Sequence, residues 1–227
     1  MEDRVTTWSV RDALRTFGVM VLASTIASGV LLGVTGHSAD GSSEDVFVLG
    51  VSGTVLGMLA ALVHARSFLP VGALAWRPLS SRWALKSIAM VGPVLAVGYL
   101  MGRLLEFFEV EVEPQDLVST IAQSSNPATI ALGLLYGIVG AAVFEELLFR
   151  GVIQPALVAR WGRWPGLLGQ ALLFGTMHMA DPWVVLPTTL IGVVAGWLRE
   201  ATGALGAPIV FHAANNTLAI LLSWSML

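Results

Sequence analysis

The chain has 227 residues, of which 56% are hydrophobic and only 12% charged, with a formal net charge of -3 and a mean hydropathy of +0.78. A soluble domain carries about twice that share of charge, so the composition is that of an integral membrane protein. The absence of cysteine rules out disulfides, thiolate catalysis, Cys-ligated zinc and iron–sulfur clusters, and no basic patch points to a nucleic-acid partner.

The first residues, Met1 to Trp8, mix acids with bases and lead to no small-residue cleavage site. The apolar run that follows is therefore expected to stay as a membrane helix rather than be removed as a signal peptide. Runs near the roughly 20 apolar residues that cross a bilayer fall at 16–34, 46–65, 84–104 and 127–149. Three more, two of them short, fall at 165–180, 182–198 and 206–226. The expected fold is all-α: a polytopic membrane helix bundle of about seven transmembrane helices, with six or eight as alternatives, in a single domain over 1–227. Pro93 and Pro187 are expected to kink their helices. Glycine pairs four residues apart, Gly29/Gly33, Gly53/Gly57, Gly133/Gly137 and Gly192/Gly196, are expected to mark close helix packing.

Lysine and arginine set the orientation. Arg4, Arg11 and Arg15 precede the first run, and Arg66, Arg77, Arg82 and Lys86 lie between the second and third. Arg150, Arg160 and Arg163 follow the fourth, and Arg199 follows the sixth. All fall on one side, and Arg103 alone falls on the other. The expectation is a cytoplasmic N-terminus and an external C-terminus in the cell membrane. The acidic segment Glu106 to Asp116 would be external, with a surface helix from Pro114 to about Gln123, and so would Asp40 to Asp45. Trp76, Trp83, Trp161, Trp164 and Trp197 flank the inner helix ends, as interface anchors do.

Against this apolar background, Glu145, Glu146 and Arg150 stand within six residues of each other. Charge near the bilayer centre costs several kcal/mol unless it is paired or faces a wet cavity. Glu146 and Arg150 are four apart, the spacing at which an acid and a base meet on one helix face. Glu145 is turned about 100° away. One carboxylate can be neutralised by the arginine while the other stays free as a candidate general base. His178, His212 and Asn216 are the other polar groups in apolar sequence, and His212 and Asn216 share one helix face. A turn near Trp161 to Pro165 would place Glu145 and His178 at similar heights, roughly 20–24 Å from it, if the fourth helix runs on past Arg150 toward Arg160. These side chains could then converge on a pocket opening toward the cytoplasm. His37 and His64 sit at helix ends and are read as structural.

The pattern Glu145-Glu146-Leu-Leu-Phe-Arg150, then Phe174-x-x-x-His178, then His212-x-x-x-Asn216 resembles the three motifs of the CAAX protease and bacteriocin-processing family of intramembrane endopeptidases, also called CPBP or Abi proteins. The segment Trp76 to Trp83 is similar to a basic, proline-containing loop found upstream in many members. The family-like catalytic core covers about 127–227. The resemblance implies that Glu145 and His178 activate water for peptide hydrolysis and that His212 and Asn216 hold the oxyanion. It makes Glu146 and Arg150 supporting residues. It implies a membrane-protein, lipidated or peptide substrate and the lipid bilayer as partners. Hydrolysis without a tightly bound metal is the preferred expectation, because the spacing His-Glu-x-x-His is absent. Zinc held by Glu145, His178 and His212 is the alternative. Two other functions compete: a non-proteolytic scaffold or bacteriocin-immunity protein on the same fold, and a rhomboid-like serine protease using Ser52 in Gly50-Val-Ser-Gly53.

Overall fold

The computed structural model describes residues 8–37, 44–70, 72–74, 76–110, 120–121, 123–179 and 182–224. Among them there is no strand. Seven long helices follow in order: α1 Val10–Thr35, α2 Glu44–Arg66, α3 Ser81–Phe107, α4 Pro127–Trp161, α5 Arg163–Thr176, α6 Pro182–Thr202 and α7 Gly206–Trp224. Five of these, α1, α2, α3, α4 and α6, are long and apolar enough to cross a membrane, and α7 is a shorter apolar helix. The surface helix expected from Pro114 to Gln123 lies almost wholly outside the described residues, as do Asp40 and the C-terminal end of the last expected run.

Helix ends follow local chemistry. Ser9 caps α1 and exchanges hydrogen bonds with Asp12, the reciprocal arrangement that satisfies two orphan N–H groups. Asn126 caps α4 with Pro127 in its first turn. Gly162, at φ 87°, makes the turn between α4 and α5 in a conformation that favours glycine. Gly166 then lets α5 lie directly against the backbone of Val158 in α4.

Two expectations change here, and a third, the kink from Pro93, is met. α5 has only 14 residues, about 21 Å, and stops at Thr176, so His178 sits in a turn beyond the helix rather than within a fifth span. α3 breaks at Met90, between Ser81–Ala89 and Val91–Phe107. The cause is Pro93, which has no N–H to offer the Ala89 carbonyl, so the kink falls one turn before the proline. The glycine pairs differ from one another. A methyl at Gly53 or Gly57 would strike Ser28 or Ser24 of α1, and one at Gly192 would meet Ala171 of α5, whereas Gly29 and Gly33 have open space.

The described residues form two apolar cores. One joins α1, α2, α4 and α5 around Met20, Met58, Leu148, Phe149 and Phe174. The other joins α3, α6 and α7 around Val94, Leu198 and Phe211. The Trp8 indole donates to the Val152 carbonyl at 2.9 Å and ties the start of α1 to α4. The same end of the bundle holds Arg11 beside Arg160 and Trp161.

Candidate active site

α4 is not uniform. Two π-helical stretches, Leu135–Gly140 and Leu147–Ile153, flank six residues of α-helix, Ala141–Glu146. Such wide turns re-aim side chains and occur often at functional sites. Glu145 and Glu146 end the short α segment between them.

The two carboxylates have different surroundings, as their spacing implied. Glu146 and Arg150 are completely buried and meet at 2.9 Å. Arg150 also donates to the Gly192 carbonyl of α6 at 3.1 Å, and its guanidinium lies 4.6 Å from the centre of the Phe174 ring. Glu146 Oε1 further accepts from His212 Nδ1 at 2.8 Å. A carboxylate paired with arginine can only accept, so Nδ1 carries the proton and Nε2 faces away, 3.9 Å from Glu145 Oε2. The sequence pattern did not show this link between Glu146 and His212.

Glu145 has no such partners. Its side chain is 15% exposed, and its Oε2 is buried with no hydrogen bond among the described residues. It lines a cavity of about 300 Å³ together with His178, Thr54, Ser24, Met58 and Phe174. His178 Nδ1 donates to the Phe174 carbonyl at 3.1 Å, which leaves Nε2 with a lone pair. Asn216 comes from α7 and donates to the Gly137 carbonyl at 2.7 Å, inside the first π-helical stretch. One amide hydrogen of Asn216 is thereby fixed, and the other remains available.

The structure thus brings Glu145 and His178 to one cavity, sets His212 between the two glutamates, and docks Asn216 on the helix that carries them. For zinc, Glu145, His178 and His212 are the candidate ligands. Among the described residues no group of three or more His, Cys, Asp or Glu side chains is arranged to hold a metal ion. His212 commits Nδ1 to Glu146, which leaves Nε2 as the nitrogen that a metal would use.

Other polar residues complete the surroundings. Gln154 donates to the Gly196 carbonyl and to Glu200, and Gln170 donates to the Gly192 carbonyl. Arg199 is buried and donates to the Arg150 carbonyl at 3.2 Å. Arg150 and Arg199 therefore belong to a buried polar seam between α4, α5 and α6, not to a cytoplasmic loop. Gln154 and Gln170 could have been noticed by the rule applied to His178, as polar groups in apolar sequence.

Tyr136 could not. Nine residues separate it from Glu145, and on an ideal α-helix that is a rotation of about 900°, placing the two on opposite faces. The wider turns of Leu135–Gly140 bring Tyr136 round. Its ring lies against Gly140, with Cδ2 3.1 Å from where a Cβ would stand. Its hydroxyl lies near Thr54 and close enough to Glu145 to feel its charge.

The remaining histidines make other pairs. His64 pairs with Thr16 at 2.9 Å, and His37 lies 3.3 Å from Asp45. Ser52 donates to the Val48 carbonyl of its own helix at 2.8 Å and is not among the cavity-lining residues.

Residues 127–218 match the family model described as Type II CAAX prenyl endopeptidase Rce1-like. The match contains every one of Glu145, Glu146, Arg150, His178, His212 and Asn216, and leaves out α1, α2 and α3. No curated protein and no solved structure matches the chain. Over residues 127–218, which carry all six motif residues, the chain is similar to the CAAX prenyl endopeptidases, and its apolar helices are those of a membrane protein.

Proposed function

We propose that this protein hydrolyses a peptide bond within the membrane, with Glu145 as the general base toward water. The observation that carries the reading is the contrast between the glutamates. Glu146 is fully buried and its Oε1 is held by both Arg150 and His212, while Glu145 is partly exposed and keeps an unpartnered oxygen at a cavity shared with His178. A carboxylate held unpaired in a partly buried site is suited to accept a proton.

In the first step Glu145 takes a proton from water, while His178 Nε2 accepts the second O–H and orients the oxygen. The water oxygen bonds to the carbonyl carbon, and the carbonyl π electrons move to its oxygen. Asn216 donates to that oxyanion through its second amide hydrogen. His212, whose Nδ1–H is held by Glu146, presents Nε2 to the reacting atoms and completes the polar wall around the oxyanion. In the second step the C–N bond breaks as the oxyanion collapses. The leaving amine takes the proton from Glu145, and the carboxylate is regenerated. Preorganised donors of this kind contribute roughly 3–4 kcal/mol each in comparable sites. His212→Ala and Asn216→Ala are accordingly expected to lower kcat far more than they raise KM.

The matched family's description names prenylated CAAX substrates. The cavity wall of Met20, Met58, Phe149, Phe174 and Met177 suits an apolar group next to the scissile bond. A prenylated peptide is the first candidate substrate, and a membrane-protein segment is the second.

Two experiments bear on the finer points. Purified protein is expected to contain little zinc and to keep its activity in a strong chelator. Stoichiometric zinc, lost with activity on chelation and restored with it, would reject the metal-free mechanism. The basic residues at one end of the bundle support a cytoplasmic N-terminus, a cytoplasmic opening of the site and a place in the cell membrane. Thiol labelling of cysteines introduced at 42, 115 and 225 should then occur from outside the cell. Labelling of these positions from the cytoplasm would reverse the orientation.

A scaffold role on the same fold predicts that Glu145→Gln leaves the cellular phenotype intact. A proteolytic role predicts that it mimics deletion.

A further inference from the structure

A peptide at membrane depth must be locally unwound to be cut, and its exposed N–H and C=O groups then have no water to satisfy them. The cavity has to provide partners beyond those used in the chemistry. The family match begins only at residue 127, yet much of the cavity wall comes from α1 and α2, including Ser24 and Thr54.

The hydrogen-bonding capacity of these two hydroxyls can be counted. Thr54 Oγ1 donates to the Gly50 carbonyl at 3.0 Å, so its own hydrogen is used. A hydroxyl oxygen has two lone pairs with which to accept. Thr54 is therefore a locked acceptor. Among the described residues the Ser24 hydroxyl has the Met20 sulfur, 4.0 Å away, as its acceptor. Sulfur accepts weakly, so Ser24 is a donor ready to be captured. Ser24 packs against Gly57, three residues beyond Thr54, so donor and acceptor stand about one helical turn apart on one wall. An extended peptide presents the N–H and the C=O of one residue on the same edge.

We propose that the α1–α2 hairpin is the backbone-binding wall of the active site, with Thr54 accepting from a substrate N–H and Ser24 donating to a substrate C=O beside the scissile bond. This inference rests on the proteolytic reading above. It makes α1 and α2 determinants of substrate affinity rather than a passive membrane anchor.

The test uses full-length protein in liposomes and the most rapidly cleaved member of a randomised transmembrane peptide library. Thr54→Val and Ser24→Ala should each raise KM roughly three- to tenfold, the value of one net hydrogen bond, with kcat within about twofold. Thr54→Ser should restore KM. Replacing single substrate amides by esters removes one N–H at a time. One ester position should raise KM in wild type and have no further effect in Thr54→Val, a coupling that altered packing would not produce. KM unchanged in Thr54→Val, ester and Thr54→Val effects that simply multiply, or Thr54→Ser as impaired as Thr54→Val would overturn the proposal. Glu145→Gln serves as the separate control. If it is inactive while Thr54→Val behaves as wild type, only this inference falls. If it is fully active, the proteolytic reading falls as well.

Discussion

Glu145→Gln is expected to lose hydrolysis by at least two to four orders of magnitude, roughly the contribution of a positioned general base, while the protein stays folded. The substitution keeps the size and hydrogen-bonding shape of the side chain and removes only its ability to take a proton. Structural cost should be small, because Glu145 makes no hydrogen bond through its buried Oε2 and takes no part in the pair that Arg150 forms. Thermal unfolding in detergent and turnover of a reporter peptide, measured on the same preparation, check both halves. Full activity in this variant would remove Glu145 from the chemistry.

The opposite profile is expected for the neighbouring residue. Glu146 and Arg150 have no exposure, and each is the other's counter-charge. Removing one partner of a buried ion pair leaves an uncompensated charge and costs about 3–5 kcal/mol. Glu146→Gln and Arg150→Ala should both lower the unfolding temperature sharply, to a degree that surface variants such as Arg160→Ala do not approach. Glu146→Gln should also slow turnover in whatever folded protein remains, because His212 Nδ1 loses its carboxylate acceptor. Loss of turnover in Glu146→Gln with unchanged stability would instead make Glu146 the chemical group and invert the assignment.

The parts of the site that could be read in the sequence share one physical cause. Ionisable and amide groups are expensive in apolar surroundings, so Glu145, Glu146, Arg150, His178, His212 and Asn216 stand out wherever they occur. The i,i+4 spacing foretold the Glu146–Arg150 pair, and counting residues to Gly162 foretold that Glu145 and His178 would meet across the α4–α5 hairpin. What could not be read depends on geometry that periodicity does not encode. The π-helical stretches turn Tyr136 toward Glu145, against the phase of a regular helix. The early end of α5 at Thr176 leaves His178 in a turn, although the apolar run continues past it. Ser24 and Thr54 are ordinary helix residues by composition, and only the close α1–α2 approach at Gly53 and Gly57 brings them to the cavity. Arg199 looked like a loop charge because it lies near the end of its apolar run, yet it reaches back to the Arg150 carbonyl.

The most direct measurement is cleavage of a transmembrane and prenylated peptide library by purified protein in liposomes, with new termini identified by mass spectrometry for wild type and Glu145→Gln in parallel. The account predicts new termini from wild type, in the presence of chelator, and none above background from Glu145→Gln. No cleavage by folded wild-type protein, or the same new termini from both proteins, would contradict it.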